Sequence, residues 1–355
     1  MFIVGLGTSA PPRRFTQAEC WEALCASGFL PTLSHRSQAI LRKVLLGDNG
    51  IDSRHLAFES LQEAFKLSPD VLHERFSKHA PMLAREAAEA ALVDAGLKPE
   101  DIDAVIISTC TGYLCPGLTS YVCETLGLRA DVLPLDLVGQ GCGAALPNLI
   151  TAEALLNAGR ARRVLTVCVE VCSAAFYLDD DPGVLISACL FGDGAGAAVS
   201  ARDPLPGRRQ VCWLNASSRL SPAERDLLRF DQKAGMLRNI LTLQVPRLAG
   251  QFAESLLEQM LAQGHPRREQ ITGWILHAGG REILHAMKDR LQLAEEDLQW
   301  SADVLRRYGN VSSPCVLFVL KDALAGGQPD GIWWMSSFGA GFSCHGAFLE
   351  VHAPH

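Results

Sequence analysis

Between residues 103 and 169 the chain alternates short apolar strands with helices, and an alternating chain of this kind folds as a layered α/β body. Residues 103–108, 131–138 and 163–169 read as buried strands, and 80–95, 117–126 and 144–157 as helices. Gly96 stands in the C-cap position of the first helix. Residues 191–200 are small and glycine-rich, as expected of a strand that packs closely on other backbone. After a polar joint at 203–209 the same grammar resumes. Leu248, Phe252, Leu256 and Met260 recur every fourth residue on one helix face. Residues 273–276 form a strand that runs into His277, 282–291 a helix, 311–324 a helix opened by Asn310, and 332–336 and 345–351 closing strands.

An internal echo connects the two stretches. A strand ending at Thr109 is followed 33 residues later by Cys142, which opens a helix; a strand ending at His277 is followed 33 residues later by Asn310. Matched spacing of this sort is expected of a duplicated unit, here residues 1–205 and 206–355. At 355 residues the chain exceeds the size at which one core stops growing, which also favours two halves. In such sheets ligands bind where strand ends and helix N-termini converge.

Composition excludes several classes of function. With 48% hydrophobic and 20% charged residues the chain lies far from the disordered range. A formal net charge of -7 gives no broad footprint for nucleic acid, so an anionic ligand needs a local basic patch. Every apolar run is broken by Gly, Pro or charge before it reaches membrane-spanning length, and residues 1–7 read as a strand with no secretion signal. A cytoplasmic location is expected. The twelve cysteines are scattered through apolar patterns, without CxxC pairs or metal-ligand spacing, and read mostly as small buried hydrophobes. No metal site is expected.

Three residues stand out chemically. Cys142 lies in Gly139-Gln-Gly-Cys-Gly143 between a strand and a helix, a turn whose glycines permit positive φ and whose sulfur would sit at a helix N-terminus. That position, with a nearby imidazolium, is expected to lower the thiol pKa and give a thiolate able to attack thioesters. His277 follows an apolar strand and precedes Gly279-Gly280; Asn310 lies in Tyr308-Gly-Asn-Val-Ser-Ser-Pro314. Each alone has a structural explanation, a buried thiol, a satisfied ring or an N-cap. Together they supply a nucleophile, a base and a neutral hydrogen-bond donor.

With these motifs the chain resembles the type III polyketide synthases over essentially its whole length, the bacterial branch more than plant chalcone synthase. Gly139-Gln-Gly-Cys142 resembles the family's nucleophile motif and His277-Ala-Gly-Gly280 its His-Pro-Gly-Gly. Tyr308-Gly-Asn-Val-Ser-Ser313 is similar to its Gly-Asn-x-Ser-Ser, and Leu190-Phe-Gly-Asp-Gly-Ala195 to its Leu-Phe-Gly-Asp-Gly-Ala. The resemblance implies a thiolase-like fold, with duplicated βαβαβαββ halves in a five-layered αβαβα body. It implies Cys142 as nucleophile with His277 and Asn310 as partners, and Phe191 as a gatekeeper between acyl tunnel and cavity. Cys110, Cys115, Cys172, Ala175, Ser187 and Ser312 fall on cavity-lining positions, and Phe338 and Gly339 on the loop beside them.

The departures fall, on this reading, around the cavity and coenzyme entrance rather than at the triad. Ala278 replaces proline, Ser337-Phe-Gly-Ala-Gly341 stands for Gly-Phe-Gly-Pro-Gly, and no second gatekeeper phenylalanine is evident in 236–243. The basic residues that hold coenzyme A are not matched one for one; Arg42, Lys43 and Arg54 are the candidates, with Arg13 and Arg14 behind them and Glu282 opposed. The resemblance implies an acyltransferase working by decarboxylating Claisen condensation. An acyl-CoA or acyl-carrier-protein starter would react with malonyl-CoA, without metal or redox cofactor, in a homodimer whose interface includes Cys115. A single-step β-ketoacyl-carrier-protein synthase III and a non-catalytic acyl-binding scaffold are the alternatives.

Overall fold

The computed structural model describes every residue except 208, 265, 354 and 355; the expected joint at 203–209 thus includes one position outside the described residues. The first half begins with β1 (Phe2–Ser9), β2 (Arg14–Thr16), α1 (Gln17–Ala26), α2 (His35–Leu46), β3 (Ser53–His55) and α3 (Pro69–Ala95). It continues through β4 (Ala104–Thr109), α4 (Leu118–Leu126), β5 (Leu133–Val138), α5 (Ala145–Asn157), β6 (Arg163–Glu170), α6 (Pro182–Leu190) and β7 (Gly194–Ala201). The second half opens with β8 (Gln210–Leu220), the hairpin β9 (Leu228–Lys233) and β10 (Met236–Leu241), α7 (Val245–Leu261) and β11 (Ile271–Leu276). It ends with α8 (Arg281–Leu291), α9 (Gln299–Tyr308), α10 (Cys315–Ala325), β12 (Gly331–Gly339) and β13 (Ser343–His352).

Strand order states the duplication. The nine-stranded sheet runs β11-β12-β13-β8-β1-β7-β6-β4-β5. In the first half β4 pairs parallel with β5 and β6, while β7 runs antiparallel to both β6 and β1. In the second half β11 pairs parallel with β12, and β13 runs antiparallel to both β12 and β8. The halves meet where Phe2 and Ile3 pair with Cys212 and Val211. The fold is the expected thiolase-like one, with one difference: among the described residues the second half has no counterpart of β5, and α8 and α9 occupy that stretch of chain. The polar connection after α8, begun by Gln292 in the left-handed region, turns the chain into α9 instead of extending it.

The layers follow from burial. α3 lies on β1 so closely that a Cβ at Gly7 would fall 2.0 Å from Ala87 O, and the helix meets this with an alanine face, Ala80, Ala84, Ala87, Ala88 and Ala91. Sequence periodicity placed only its second half, because Pro81 falls inside the helix. α5 packs against β4, β6 and β7 on one side and β12 and β13 on the other, and α10 against β1, β7, β11 and β12. These two apolar helices form the central layer. α7 and α8 cover the outer face of the second half, over a core that fully buries Trp213, Trp333, Trp334 and Phe348.

Candidate active site

The turn that carries Cys142 is built as its glycines suggest. Gly139 and Gly141 have φ of 85° and 55°, and Cys142 sits in a short 3-10 turn, Gly141–Gly143, that leads into α5. Its Sγ contacts Ser312 Oγ at 3.3 Å. Ser312 is itself held at φ 60°, its N–H donating to Asn310 Oδ1 at 2.8 Å. Asn310 Nδ2 donates to Gly279 O at 3.1 Å, and Gly279 N–H donates to His277 O at 2.9 Å. A continuous chain of contacts thus runs from Cys142 through Ser312, Asn310 and Gly279 to His277, all of it buried. Asn310 does not open a helix. α10 starts at Cys315, after Pro314, and the Asn310 side chain holds the backbone ahead of it.

The His277 ring stands edge-on to Phe338, with centroids 4.8 Å apart, and is 0% exposed. Among the described residues neither ring nitrogen has a hydrogen-bond partner. Burial lowers its pKa to about 3 and pushes the Cys142 thiol up to about 12, with the Glu170 carboxyl adding to the latter. Desolvation thus opposes the effect expected of the helix N-terminus at Cys142.

A cavity opens over Cys142. Cys110, Cys172, Ala175, Ser187, Phe191 and Ser312 line it, with Phe230 and Asn239 from the β9–β10 hairpin across from them. Phe230 went unrecognised in the sequence because the hairpin has no clear alternation. Cys115 is exposed and lies outside the cavity within this chain. Phe338 is buried behind His277, and Gly339 is pressed on the Cys142 turn, where a Cβ would fall 2.2 Å from Gln140 O.

The departures from the family pattern also bear on the surroundings of Cys142 and His277. Ser337 Oγ donates to Gly143 O at 3.0 Å, so the serine that stands in the glycine position fastens the Cys142 turn. Ala340 N lies 3.0 Å from where a Gly141 Cβ would be, and Ala278 N–H, a donor proline lacks, meets Cys315 Sγ at 3.2 Å.

Glu170 is the functional-looking residue the sequence reading missed. It is fully buried at the end of β6 and accepts from Cys110 N (3.0 Å), Thr111 Oγ1 (2.9 Å) and Ser313 Oγ (2.6 Å), joining both halves beside the cavity. Desolvation raises its pKa, against the hydrogen bonds that lower it, Ser313 foremost. The available signal was a lone acid closing an otherwise apolar strand. His345 was missed too: its Nδ1 meets Ser218 Oγ at 2.8 Å, and its ring lies against Gly143.

Of the expected coenzyme residues, Arg42 and Lys43 are exposed on α2. Arg54 is not available to a phosphate. It is 3% exposed, and its guanidinium donates to Ala188 O (2.7 Å), Phe191 O (2.9 Å), Gln17 Oε1 (3.1 Å) and Cys20 Sγ (3.3 Å). It holds the C-terminal end of α6 and, through it, Phe191.

Family models for the N-terminal and C-terminal domains of chalcone and stilbene synthases match residues 55–204 and 229–343. A 1,3,6,8-tetrahydroxynaphthalene synthase of Streptomyces peucetius subsp. caesius is 31% identical over 98% of this chain and 92% of its own length. A 3,5-dihydroxyphenylacetyl-CoA synthase of Streptomyces toyocaensis is 28% identical over 98% and 89%. In structure, the C-terminal type III polyketide synthase domain of Steely1 from Dictyostelium matches with a TM-score of 0.88 at 25% identity, covering 98% of each chain. Fold, motifs and matches over nearly the full length agree, and the chain belongs to the chalcone and stilbene synthase family as a type III polyketide synthase.

Proposed function

We propose that the protein loads an acyl starter from coenzyme A onto Cys142, extends it by decarboxylative condensation with malonyl-CoA, and releases a cyclised pyrone or phenolic product. The observation that carries this reading is the His277 ring, buried with both nitrogens unpaired among the described residues, on a residue whose main chain is tied through Gly279, Asn310 and Ser312 to the Cys142 thiol. An unpaired buried polar group costs roughly 1–3 kcal/mol, a cost that persists where a substrate completes the bond.

As Cys142 Sγ attacks the starter thioester, His277 takes its proton and then delivers it to the departing coenzyme A thiolate. Malonyl thioester follows. His277 and the second amide hydrogen of Asn310 donate to its carbonyl while carbon dioxide leaves, and the resulting enolate attacks the acyl carbon on Cys142, forming the new carbon–carbon bond as the bond to Cys142 Sγ breaks and the thiolate departs. Donors aimed at such an oxyanion contribute roughly 3–4 kcal/mol each. The chemistry asks for no metal or redox cofactor, and coenzyme A thioesters are substrates.

Several finer readings go with it. The nucleophile belongs to a first half, residues 1–205, and the base and amide to a second, 206–355. Exposed Arg42 and Lys43 remain the coenzyme phosphate candidates, and exposed Cys115 the interface candidate in a homodimer. No helix of the described residues is long and apolar enough to cross a membrane, and a cytoplasmic site is the matching proposal.

Intact mass after acyl-CoA incubation tests the loading step: Cys142→Ala is expected to acquire no adduct. His277→Gln is expected to decarboxylate malonyl-CoA at least a hundredfold more slowly. An adduct on the alanine variant, or an unchanged decarboxylation rate, defeats the proposal.

A further inference from the structure

Two polar side chains stand on the wall of the catalytic cavity without a partner. Ser187 is 7% and Asn239 8% exposed, both line the cavity, and neither side chain hydrogen-bonds to a described residue. The other serine and threonine hydroxyls on this wall are engaged. Thr111 Oγ1 donates to Glu170 and accepts from Val171 N–H, and Ser312 Oγ lies between Cys142 Sγ and Glu170. A serine inside a helix can donate to the carbonyl four residues back, which Ser187 does not do. Buried polar groups are almost always paired, so two that open on one cavity mark a place where a ligand completes the bonds.

The fold holds these two as a pair. α6 packs on β10 so closely that a Cβ at Gly183 would fall 2.4 Å from Leu241 O. Ser187 lies one turn beyond Gly183, and Asn239 two residues before Leu241, so both belong to this contact. Side chains alternate along a strand, and Arg238, next to Asn239, points away from the cavity. Its guanidinium meets Asp179 at 2.9 Å, Asp181 at 3.1 Å and Asp231 at 3.6 Å. Asp181 is the N-cap of α6: one carboxylate oxygen takes Arg238, while the other accepts from Gly183 and Val184 N–H at 2.8 and 3.3 Å. The Arg238 side chain is 14% exposed, which shields the junction from salt. Arg238 therefore fastens the strand that carries Asn239 to the helix that carries Ser187.

A hydroxyl and an amide each donate to neutral oxygen acceptors. Arg229, the one cation lining the cavity among the described residues, is turned to Asp226, whose main-chain oxygen it meets. The wall thus suits a chain bearing ketones. We propose that Ser187 Oγ and the Asn239 amide bind ketone oxygens of the chain growing on Cys142, with Arg238 as the positioning residue that sets their separation. The ligands are β-ketoacyl and β,δ-diketoacyl thioesters. A starter without oxygen beyond its thioester offers this pair nothing, and each extension adds one ketone. The pair accordingly acts on the second and later extensions. The proposal rests on the loading and condensation reading above and adds what sustains repeated extension.

Two measurements test it on the whole protein. In the first, wild type and variants receive hexanoyl-CoA and malonyl-CoA, and released products are sorted by mass into those with one extension and those with more. Acylation of Cys142 is followed in parallel by intact mass. Ser187→Val and Ser187→Thr share a shape and differ in the hydroxyl. The ratio of multiply to singly extended products is expected to fall at least tenfold in Ser187→Val and in Asn239→Leu, and to stay within threefold of wild type in Ser187→Thr. Arg238→Met is expected to lower it at least threefold while Cys142 is still acylated, a split that general loss of structure does not produce. Unchanged ratios, equal loss in the valine and threonine variants, or a wild type that stops after one extension would overturn the site. A wild-type ratio in Arg238→Met overturns the positioning role.

The second measurement reads the hydrogen bond itself. Acetoacetyl-CoA carrying carbon-13 at its ketone is loaded on Cys142, and the isotope-edited infrared band of that ketone is expected below its position in hexane, returning upward in Asn239→Leu. A band at the free-ketone position in wild type overturns the site and leaves the synthase reading standing. Failure of both hexanoyl-CoA and acetoacetyl-CoA to label Cys142 overturns both.

Discussion

At Arg54 a guanidinium is buried among neutral acceptors, and its planar fork matches two carbonyls at the end of α6 together with Gln17 Oε1. The charge sits where a helix C-terminus favours it. Arg54→Met is expected to destabilise the protein by about 3 kcal/mol, since each buried acceptor left without its donor costs roughly 1–3 kcal/mol. Arg54→Lys is expected to recover little of this, because an ammonium cannot span the same fork. Urea denaturation reads both. A KM for acyl-CoA that rises in these variants at unchanged stability would return Arg54 to a coenzyme role. The residue illustrates what a sequence leaves open: a basic side chain in the expected stretch is read as a phosphate ligand until its burial is known.

At the scale of elements, the Cys142 turn is clamped from β12. Gly339 leaves no room for a Cβ against Gln140 O or Gly143 N, while two residues earlier Ser337 donates to Gly143 O. Gly339→Ala must push the strand end and the turn apart, at about 1–3 kcal/mol for a core insertion. Because the displaced element carries Cys142, activity is expected to fall by at least a hundredfold while the melting temperature drops only a few degrees; equal activity at equal stability would contradict the clamp. The motif residues around Cys142 were legible in the sequence, but the clamp was not. Its partner lies almost two hundred residues away, and only the packing of β12 beside α5 brings it there.

At the scale of the whole molecule, pH dependence follows from the buried imidazoles. Burial holds His277 near a pKa of about 3 and His345 near about 4, against 6.5 for an exposed ring. Between those values and 6.5 the unfolded chain binds protons that the native state does not, so stability falls as pH falls through this window, by about 1.4 kcal/mol per pH unit for each ring at most. His277→Gln is expected to flatten the fall in melting temperature between pH 6.5 and 4; a slope identical to wild type would mean the ring is not buried neutral. Much of this molecule was determined by sequence alone. Alternating strands and helices and a turn of glycines around Cys142 are local signals, each set by a period or a backbone angle, and they pointed to a duplicated α/β body with Cys142, His277 and Asn310 as its candidate site. The tertiary structure decided what depends on distance in space: that burial opposes the helix N-terminus at Cys142, that Asn310 braces backbone instead of opening a helix, and that Glu170 ties the two halves together. Desolvation and packing are sums over neighbours, and which residues become neighbours is settled only when the halves close on one another.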